Sequence, residues 1–122
     1  MKSIMEETIW AKIYMAGDYN IAKQTCREYV MKGLCVNIHK TDYIYTAGEE
    51  KGFCVEVINY PAYPAKRKDV YANAQRLGEL LMERCFQSSF TIMMSDMSYF
   101  FTRREDINQQ TKSKERKHPN LR

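Results

Sequence analysis

The chain has 122 residues and a formal net charge of +4, and this length favours one domain with a modest core. Five basic residues between Lys112 and Arg122 face one acid, Glu115, so the whole excess of charge lies there and residues 1–106 are neutral. This distribution excludes a general basic field and argues against specific nucleic-acid binding. We predict a single α+β ligand-binding domain over residues 1–106 and a basic, disordered tail over residues 107–122. The tail is interpreted as solubilising, with a weak polyanion contact as the alternative.

Cysteine and histidine usage gives no support to a metal site. Four cysteines lack a C-x-x-C pair, and only two histidines are present, so we expect no metal and no cofactor. No apolar run is long enough to span a bilayer, and no signal peptide is evident. These features predict a soluble cytoplasmic protein.

The first half of the chain predicts strands around one helix. In "TIWAKIYMAG", apolar residues alternate with polar or aromatic ones, as in a half-buried strand. Asp18 is well placed to cap the helix of "IAKQTCREYVMKG", which Gly33 would end. "LCVNI" and "YIYTA" are predicted as two strands on either side of the connection "HKTD". "FCVEVINY" follows the turn "AGEEKG", in which Gly48 and Gly52 are available for positive φ.

The second half predicts a long helix and a hairpin. Apolar residues at helical spacing, including Leu77 and Leu81, indicate an amphipathic helix over residues 66–86. "SFTIMM" and "SYFFT" then form a closing hairpin around residues 95–97. The order is β-α-β-β-β-α-β-β, which predicts an α+β fold with a mainly antiparallel sheet and two helices packed on one face.

The other face of this sheet is predicted to carry large aromatic rings. These are Trp10, Tyr14, Tyr43, Tyr45 and Tyr99. Because a large exposed apolar area usually marks an interface, we expect a homodimer.

Familiar catalytic patterns are absent from the sequence. There is no glycine-rich phosphate loop and no G-x-S-x-G motif. His39 is interpreted as a surface turn residue, and the pairs Glu6–Glu7 and Glu49–Glu50 as solvated charges. The sequence therefore predicts a protein that is not an enzyme, with no catalytic residues.

Binding chemistry is better supplied at three loop ends, which we expect to lie close together. Gly17 and Asp18 precede a helix whose N-terminus offers free N–H groups to an anion. Asn59, Tyr60 and Pro61 supply an amide and a flat ring ahead of the long helix. Each feature also has a structural interpretation, as a helix cap or as a rigid turn.

The third loop end is the stretch "DMSYFFTRRED". If it is a strand, Phe100 and Phe101 point to opposite faces; Arg103 follows Phe101 two residues later on one face, and Arg104 follows Phe100 on the other. Aromatic rings stack on bases, and guanidinium groups match phosphate oxygens. The structural alternatives are a core ring and a surface salt network.

The order and spacing of three segments resemble the phage-encoded anti-Thoeris sponge family. These segments are "YMAGDYNIAKQTCREYVMKGLCVNI", "YIYTAGEEKGFCVEVINYPAYP" and "FFTRRED", and the resemblance runs over residues 9–106. It implies a homo-oligomer, with a dimer as its basic unit, that acts in the host bacterial cytoplasm. Such a protein sequesters a cyclic ADP-ribose isomer made by a TIR-domain enzyme and blocks Thoeris signalling without cleaving the signal. Cyclic oligonucleotides are further ligands of the family.

The resemblance also implies which residues bind the ligand. Arg103 and Arg104 match the family's paired arginines, which contact phosphate, and Phe100 or Phe101 matches its preceding aromatic. The family's loop before the long helix is matched by Asn59, Tyr60 and Pro61. Two rival functions stay open: an enzyme that cleaves a cyclic nucleotide, and a small nucleic-acid-binding phage regulatory protein.

Overall fold

The computed structural model describes residues 1–104, which form five strands and two α-helices. In chain order these are β1 (Trp10–Ala16), α1 (Tyr19–Tyr29), β2 (Val36–Tyr45), β3 (Gly48–Ile58), α2 (Arg67–Arg84), β4 (Ser89–Met94) and β5 (Ser98–Thr102), with a 3₁₀ turn (Val30–Lys32) after α1. The strands form one sheet in the order β2-β3-β1-β4-β5, and neighbouring strands are antiparallel. The predicted tail lies outside the described residues.

The core lies between one face of the sheet and the two helices. Alternate residues of β1 are buried, and Ile13 pairs with Val55 of β3 and Ile92 of β4 on the same face. Because α2 contacts β1, β3 and β4 while α1 contacts β2 and β3, both helices cover this side. We call the opposite side the open face; it carries the remaining alternate residues, such as Lys12 and Tyr14.

The ends of α1 follow the signals in its sequence. The Asp18 carboxylate accepts a hydrogen bond from the backbone N–H of Ile21 at 3.0 Å, which satisfies one of the free donors of the first turn. Gly33 adopts φ +100, the left-handed conformation that glycine adopts without steric cost, and ends the helical segment.

The predicted α+β fold class is confirmed, including the antiparallel sheet, the long second helix and the closing hairpin. One detail differs: "LCVNI" and "YIYTA" belong to a single strand, β2, which runs through His39 and Asp42 without a break. These polar residues are exposed on an edge strand, where they do not interrupt the ladder. The turn after β2 takes its positive φ from Ala47 (φ 63), and not from Gly48 or Gly52.

Tyr99 was predicted to lie on the open face, and this is wrong. It pairs with Ile92 and contacts α2, where its ring centroid lies 4.6 Å from that of Tyr71. The alternation along β5 explains the result, because Phe100 occupies the open face and its neighbours must then point toward the helices.

Gly52 provides the space in which the Tyr43 ring lies across the sheet. A Cβ atom at this position would stand 2.7 Å from Tyr43 Cε2 and would also clash with the Met15 carbonyl oxygen. We therefore expect Gly52→Ala to lower the free energy of unfolding by about 1–3 kcal/mol in urea denaturation. Thr41→Ala, on the residue that pairs with Gly52, is the control and should have a smaller effect. An alanine that is neutral or stabilising at position 52 would contradict this packing.

Candidate functional site

A cleft of about 380 Å³ opens at one end of the open face. We call it the terminal cleft. It lies where β1 ends, where β4 begins and where β5 leads into the last described residues. Its chemistry comes mainly from six side chains: Tyr14, Tyr43, Glu50, Ser89, Phe100 and Arg104.

Phe100 supplies an accessible aromatic ring to this cleft. As predicted, Phe100 and Phe101 point to opposite faces: Phe101 stacks on Phe90 with ring centroids 4.8 Å apart, on the helix-covered side. Phe100 pairs with Thr91 on the open face and is 49 % exposed. It can therefore stack against a flat ligand without disturbing the core.

Arg104 is held at the rim of the cleft by two hydroxyl groups. Its Nη2 donates to Ser89 Oγ at 3.2 Å, and its Nε donates to Thr102 Oγ1 at 3.4 Å. A guanidinium has five N–H donors, so several remain for a ligand anion. Arg103 donates its backbone N–H to the Ser88 carbonyl, but its side chain does not line the cleft.

The Tyr43 hydroxyl joins the wall of the cleft to the sheet. It donates to the Phe53 carbonyl at 2.7 Å and accepts from the Met15 N–H at 3.2 Å. Burial raises the pKa of Tyr43 to about 12, so this hydroxyl is neutral at physiological pH. Tyr43 thereby fixes one wall without adding charge to it.

The charge inside the cleft is balanced. Among the described residues that line it, Arg104 supplies the only positive charge and Glu50 the only negative one. An aromatic ring, one cation and one carboxylate suit a flat ligand that carries both signs of charge better than a purely anionic ligand.

Comparison with known proteins gives two matches, both among solved structures. No family model matches the sequence, and no curated protein matches it. A phage SAM lyase in the apo state matches with a TM-score of 0.59 and 18% identity, over 82% of this chain and 96% of that chain. A phage SAM lyase in complex with S-methyl-5′-thioadenosine matches with a TM-score of 0.57 and 16% identity, over 84% and 95%. This chain has the fold of a phage SAM lyase.

The shared fold corrects one expectation from the sequence. The protein was predicted not to be an enzyme, and this is contradicted because both matching structures are of a lyase. The absence of familiar catalytic motifs does not exclude an enzyme, since many reaction classes use neither a nucleophile elbow nor a phosphate loop. At 16–18% identity the likeness establishes the fold; the reaction of this chain is taken up below as a proposal.

The predicted residues Gly17 and Asp18 lie beside the terminal cleft rather than in it. They line a neighbouring pocket of about 440 Å³ that also includes Lys40 and Lys51. Gly17 has φ +135, and a Cβ there would lie 3.1 Å from Cys85 Cβ, while Asp18 caps α1. Both residues thus have clear structural roles, and their contribution to ligand binding stays a prediction.

Asn59, Tyr60 and Pro61 lie at the opposite end of the sheet, which corrects the expectation that all three loop ends meet. The end of β3 lies next to the start of β1, where Ile58 pairs with Trp10. The other end of β1, at the terminal cleft, is six residues away, which corresponds to about 20 Å along the strand. Asn59 is 7% exposed; its amide donates to the Glu7 carbonyl at 2.8 Å and accepts from the Ala65 N–H. Within one protomer, this loop does not reach the terminal cleft.

Sequence reasoning did not assign four of the six named cleft residues to a ligand, and Ser89 was recognised only as part of the strand "SFTIMM". Tyr14 and Tyr43 were recognised only as rings on the open face, and Glu50 was interpreted as a solvated turn acid. Their side chains share the open face of the sheet, and this could have indicated a common site. The indication becomes usable only when the pairing of Tyr43 with Glu50 across β2 and β3 is known.

Two kinds of feature are absent from residues 1–104. They contain no group of three or more histidine, cysteine, aspartate or glutamate residues arranged to hold a metal ion. No helix in the same part of the chain is long and apolar enough to cross a membrane.

The titration of Tyr43 predicts how stability depends on pH. An unfolded tyrosine loses its proton near pH ~10, whereas folded Tyr43 keeps it until about pH 12. Deprotonation therefore favours the unfolded state above pH ~10, and stability should fall as the pH rises further. We expect the unfolding free energy of Tyr43→Phe to fall less steeply than that of the unaltered protein in denaturation series between pH 9 and 12.

The buried thiols do not obscure this comparison. Burial also raises the pKa values of Cys26 and Cys54 to about 11. Because both thiols are present in both proteins, their own titration cancels, and the difference reports Tyr43 together with its charge coupling to Cys54. At pH 7, Tyr43→Phe should cost about 0.5–1.5 kcal/mol for each lost hydrogen bond. Equal slopes in the two proteins would show that the Tyr43 hydroxyl is solvated.

Proposed function

We propose that this protein is an enzyme that binds S-adenosylmethionine in the terminal cleft and cleaves it to S-methyl-5′-thioadenosine. The observation that carries the proposal is the composition of the cleft: one accessible ring, one cation and one carboxylate around about 380 Å³. The fold shared with a phage SAM lyase supports it. We further propose that the protein is phage-encoded and acts in the host cytoplasm.

Each part of the substrate has a partner in the cleft. The adenine can stack on Phe100, and the carboxylate can pair with the remaining N–H donors of Arg104. The sulfonium and ammonium charges are complemented by Glu50 and by the faces of Tyr14 and Tyr43. The cleft volume lies within the ~300–1,000 Å³ that small-molecule sites occupy.

The chemistry needs no cofactor. S-adenosylmethionine is S-methyl-5′-thioadenosine joined through its sulfonium to a four-carbon amino acid chain. When the bond from sulfur to Cγ breaks, its electron pair goes to sulfur, which becomes a neutral thioether. The substrate's own carboxylate oxygen forms the new bond to Cγ and closes a five-membered lactone, so no water, proton or oxidant is consumed.

This step destroys two opposite charges, and the site should therefore favour a less polar transition state. Aromatic walls from Tyr14, Tyr43 and Phe100 would displace part of the water that stabilises the charged substrate. Arg104 would hold one carboxylate oxygen and leave the other to face Cγ, so that the reacting atoms start close together. The residues thus act by orientation and desolvation, without a protein nucleophile.

The cyclic ADP-ribose isomer of the anti-Thoeris resemblance is the second candidate ligand for this cleft. Phe100 could stack on its adenine. Arg103, which directly precedes Arg104 in the chain, is the second arginine that the resemblance assigns to phosphate. However, a pyrophosphate calls for several cations, and the cleft offers one guanidinium together with the Glu50 carboxylate. The balanced charge therefore favours S-adenosylmethionine over this ligand and over cyclic oligonucleotides.

We also propose that a second copy covers the open face in a homodimer. Trp10 and Met93 lie on this face beside the salt bridge between Lys12 and Glu56, whose charged atoms are 3.6 Å apart. A partner lying across this face would restrict solvent access to the terminal cleft. Such enclosure is what tight binding of a small ligand requires.

Product analysis tests the reaction directly. Purified protein is incubated with S-adenosylmethionine, denatured, and examined by liquid chromatography with mass spectrometry. We expect S-methyl-5′-thioadenosine and the lactone of homoserine in equal amounts. Glu50→Gln should slow the reaction, whereas Glu49→Gln, on the neighbouring exposed residue, should not.

Titration calorimetry then separates the candidates. Binding of S-methyl-5′-thioadenosine supports the proposal. The lyase assignment would be wrong if S-adenosylmethionine stays intact and the cyclic ADP-ribose isomer is the only ligand that binds. Conversion of the cyclic ligand to a new product would instead support a cyclic-nucleotide-cleaving enzyme.

A further inference from the structure

The segment ahead of β1 exposes two large apolar side chains followed by two acids. We call residues 1–8 the leading segment. Ile4 is 68% exposed and Met5 is 92% exposed, and both Glu6 and Glu7 are exposed as well. Its last part is anchored, because the Asn59 amide donates to the Glu7 carbonyl at 2.8 Å. The segment therefore presents an apolar and acidic surface that its own protomer does not cover.

A groove of matching chemistry lies between α1 and β2. We call it the edge groove; its volume is about 280 Å³. Its apolar lining includes Leu34, Val36 and Ile38, all only partly buried, and Lys23 and Arg27 lie along its rim. Apolar side chains flanked by two cations fit a ligand that carries apolar groups next to acids.

The strand beside this groove has a free edge. Within residues 1–104, β2 pairs with β3 alone and stands at the edge of the sheet. One row of its backbone N–H and C=O groups is therefore available to an added extended segment. The four charged residues concerned are also available, since none of the salt bridges in the described part of the chain includes Glu6, Glu7, Lys23 or Arg27.

We propose that the leading segment of one copy docks along the β2 edge of a second copy. Ile4 or Met5 enters the edge groove, and the acids pair with Lys23 and Arg27. If each copy docks its leading segment on the other, both segments are covered at once, as two-fold symmetry allows. The six residues ahead of the Glu7 anchor reach about 20 Å when extended, which is enough to cross to a neighbouring copy. This inference is independent of the proposed reaction.

A disulfide trap tests this contact specifically. Cys35 lines the edge groove and is the one exposed cysteine among the described residues, since Cys26, Cys54 and Cys85 are buried. In the full-length chain, Ile4→Cys under oxidised glutathione should give a covalent dimer on non-reducing gels. Mass spectrometry of peptides should show the new thiol joined to Cys35, and adding Cys35→Ser should remove that product. A link confined to one chain, or no link to Cys35, overturns the proposal.

Charge exchange provides the second test. In the Ile4→Cys background, reversing the acids (Glu6→Lys with Glu7→Lys) or the rim cations (Lys23→Glu with Arg27→Glu) should slow cross-linking at least tenfold. Combining all four reversals should restore the rate. Lys68→Glu with Arg76→Glu, on exposed residues of α2, is the matched control and should have no effect. Failure of the combined variant to recover would refute the pairing, whatever the outcome of the product analysis.

Discussion

Arg104→Ala is expected to lower kcat/KM for S-adenosylmethionine about 10- to 150-fold. The proposed carboxylate contact is a charge-assisted hydrogen bond, and losing it costs about 1.5–3 kcal/mol, with each ~1.4 kcal/mol equal to a factor of ten. Arg104 is suited to this role because Ser89 and Thr102 already hold its guanidinium at the rim of the cleft. Steady-state kinetics with product detection would measure the loss.

The same variant should behave differently toward the product. S-methyl-5′-thioadenosine has no carboxylate, so its affinity for Arg104→Ala, measured by calorimetry, should change less than about threefold. Arg103→Ala is the matched control and should leave both quantities unchanged, because the Arg103 side chain does not line the cleft. If kcat/KM falls equally in both variants, or if the affinity for the product falls together with kcat/KM, the assignment of Arg104 to the substrate carboxylate is wrong.

The local features of the fold could be predicted because their signals are local. Alternation identified β1, the Asp18 cap and Gly33 set the ends of the first helical segment, and helical spacing identified α2. Local signals of this kind could not predict that β2 continues through His39 and Asp42. It depends on pairing with β3, which supplies hydrogen bonds to the polar residues whatever their local propensity.

The candidate site was predictable only in part, for the same reason. Phe100 and Arg104 were found because residues separated by an even number of positions share one face of a strand. Glu50 and Tyr43 were missed, because their position in the cleft depends on how far β2 and β3 extend beyond the end of β1. Asn59 was grouped with the others because sequence alone does not tell which end of a sheet a loop occupies.

Leu77 is the residue whose truncation should destabilise the fold most. It lies on the face of α2 that packs against the sheet and is fully buried, with 0% exposure. Next to it, Gly78 lets the helix approach the Phe90 ring so closely that a Cβ would lie 2.8 Å from Phe90 Cζ. Because the helix already touches the sheet here, the structure has little freedom to collapse into a cavity.

Leu77→Ala should therefore lower the free energy of unfolding by about 2–5 kcal/mol, the range for fully buried leucines. Leu80→Ala makes the same chemical change on the same helix at a half-buried position, so it should cost clearly less. Urea denaturation followed by circular dichroism measures both. Below its melting transition, Leu77→Ala should retain the kcat/KM of the unaltered protein, because the residue lies across the sheet from the terminal cleft. Equal costs for the two variants would mean that α2 does not pack on the sheet through Leu77.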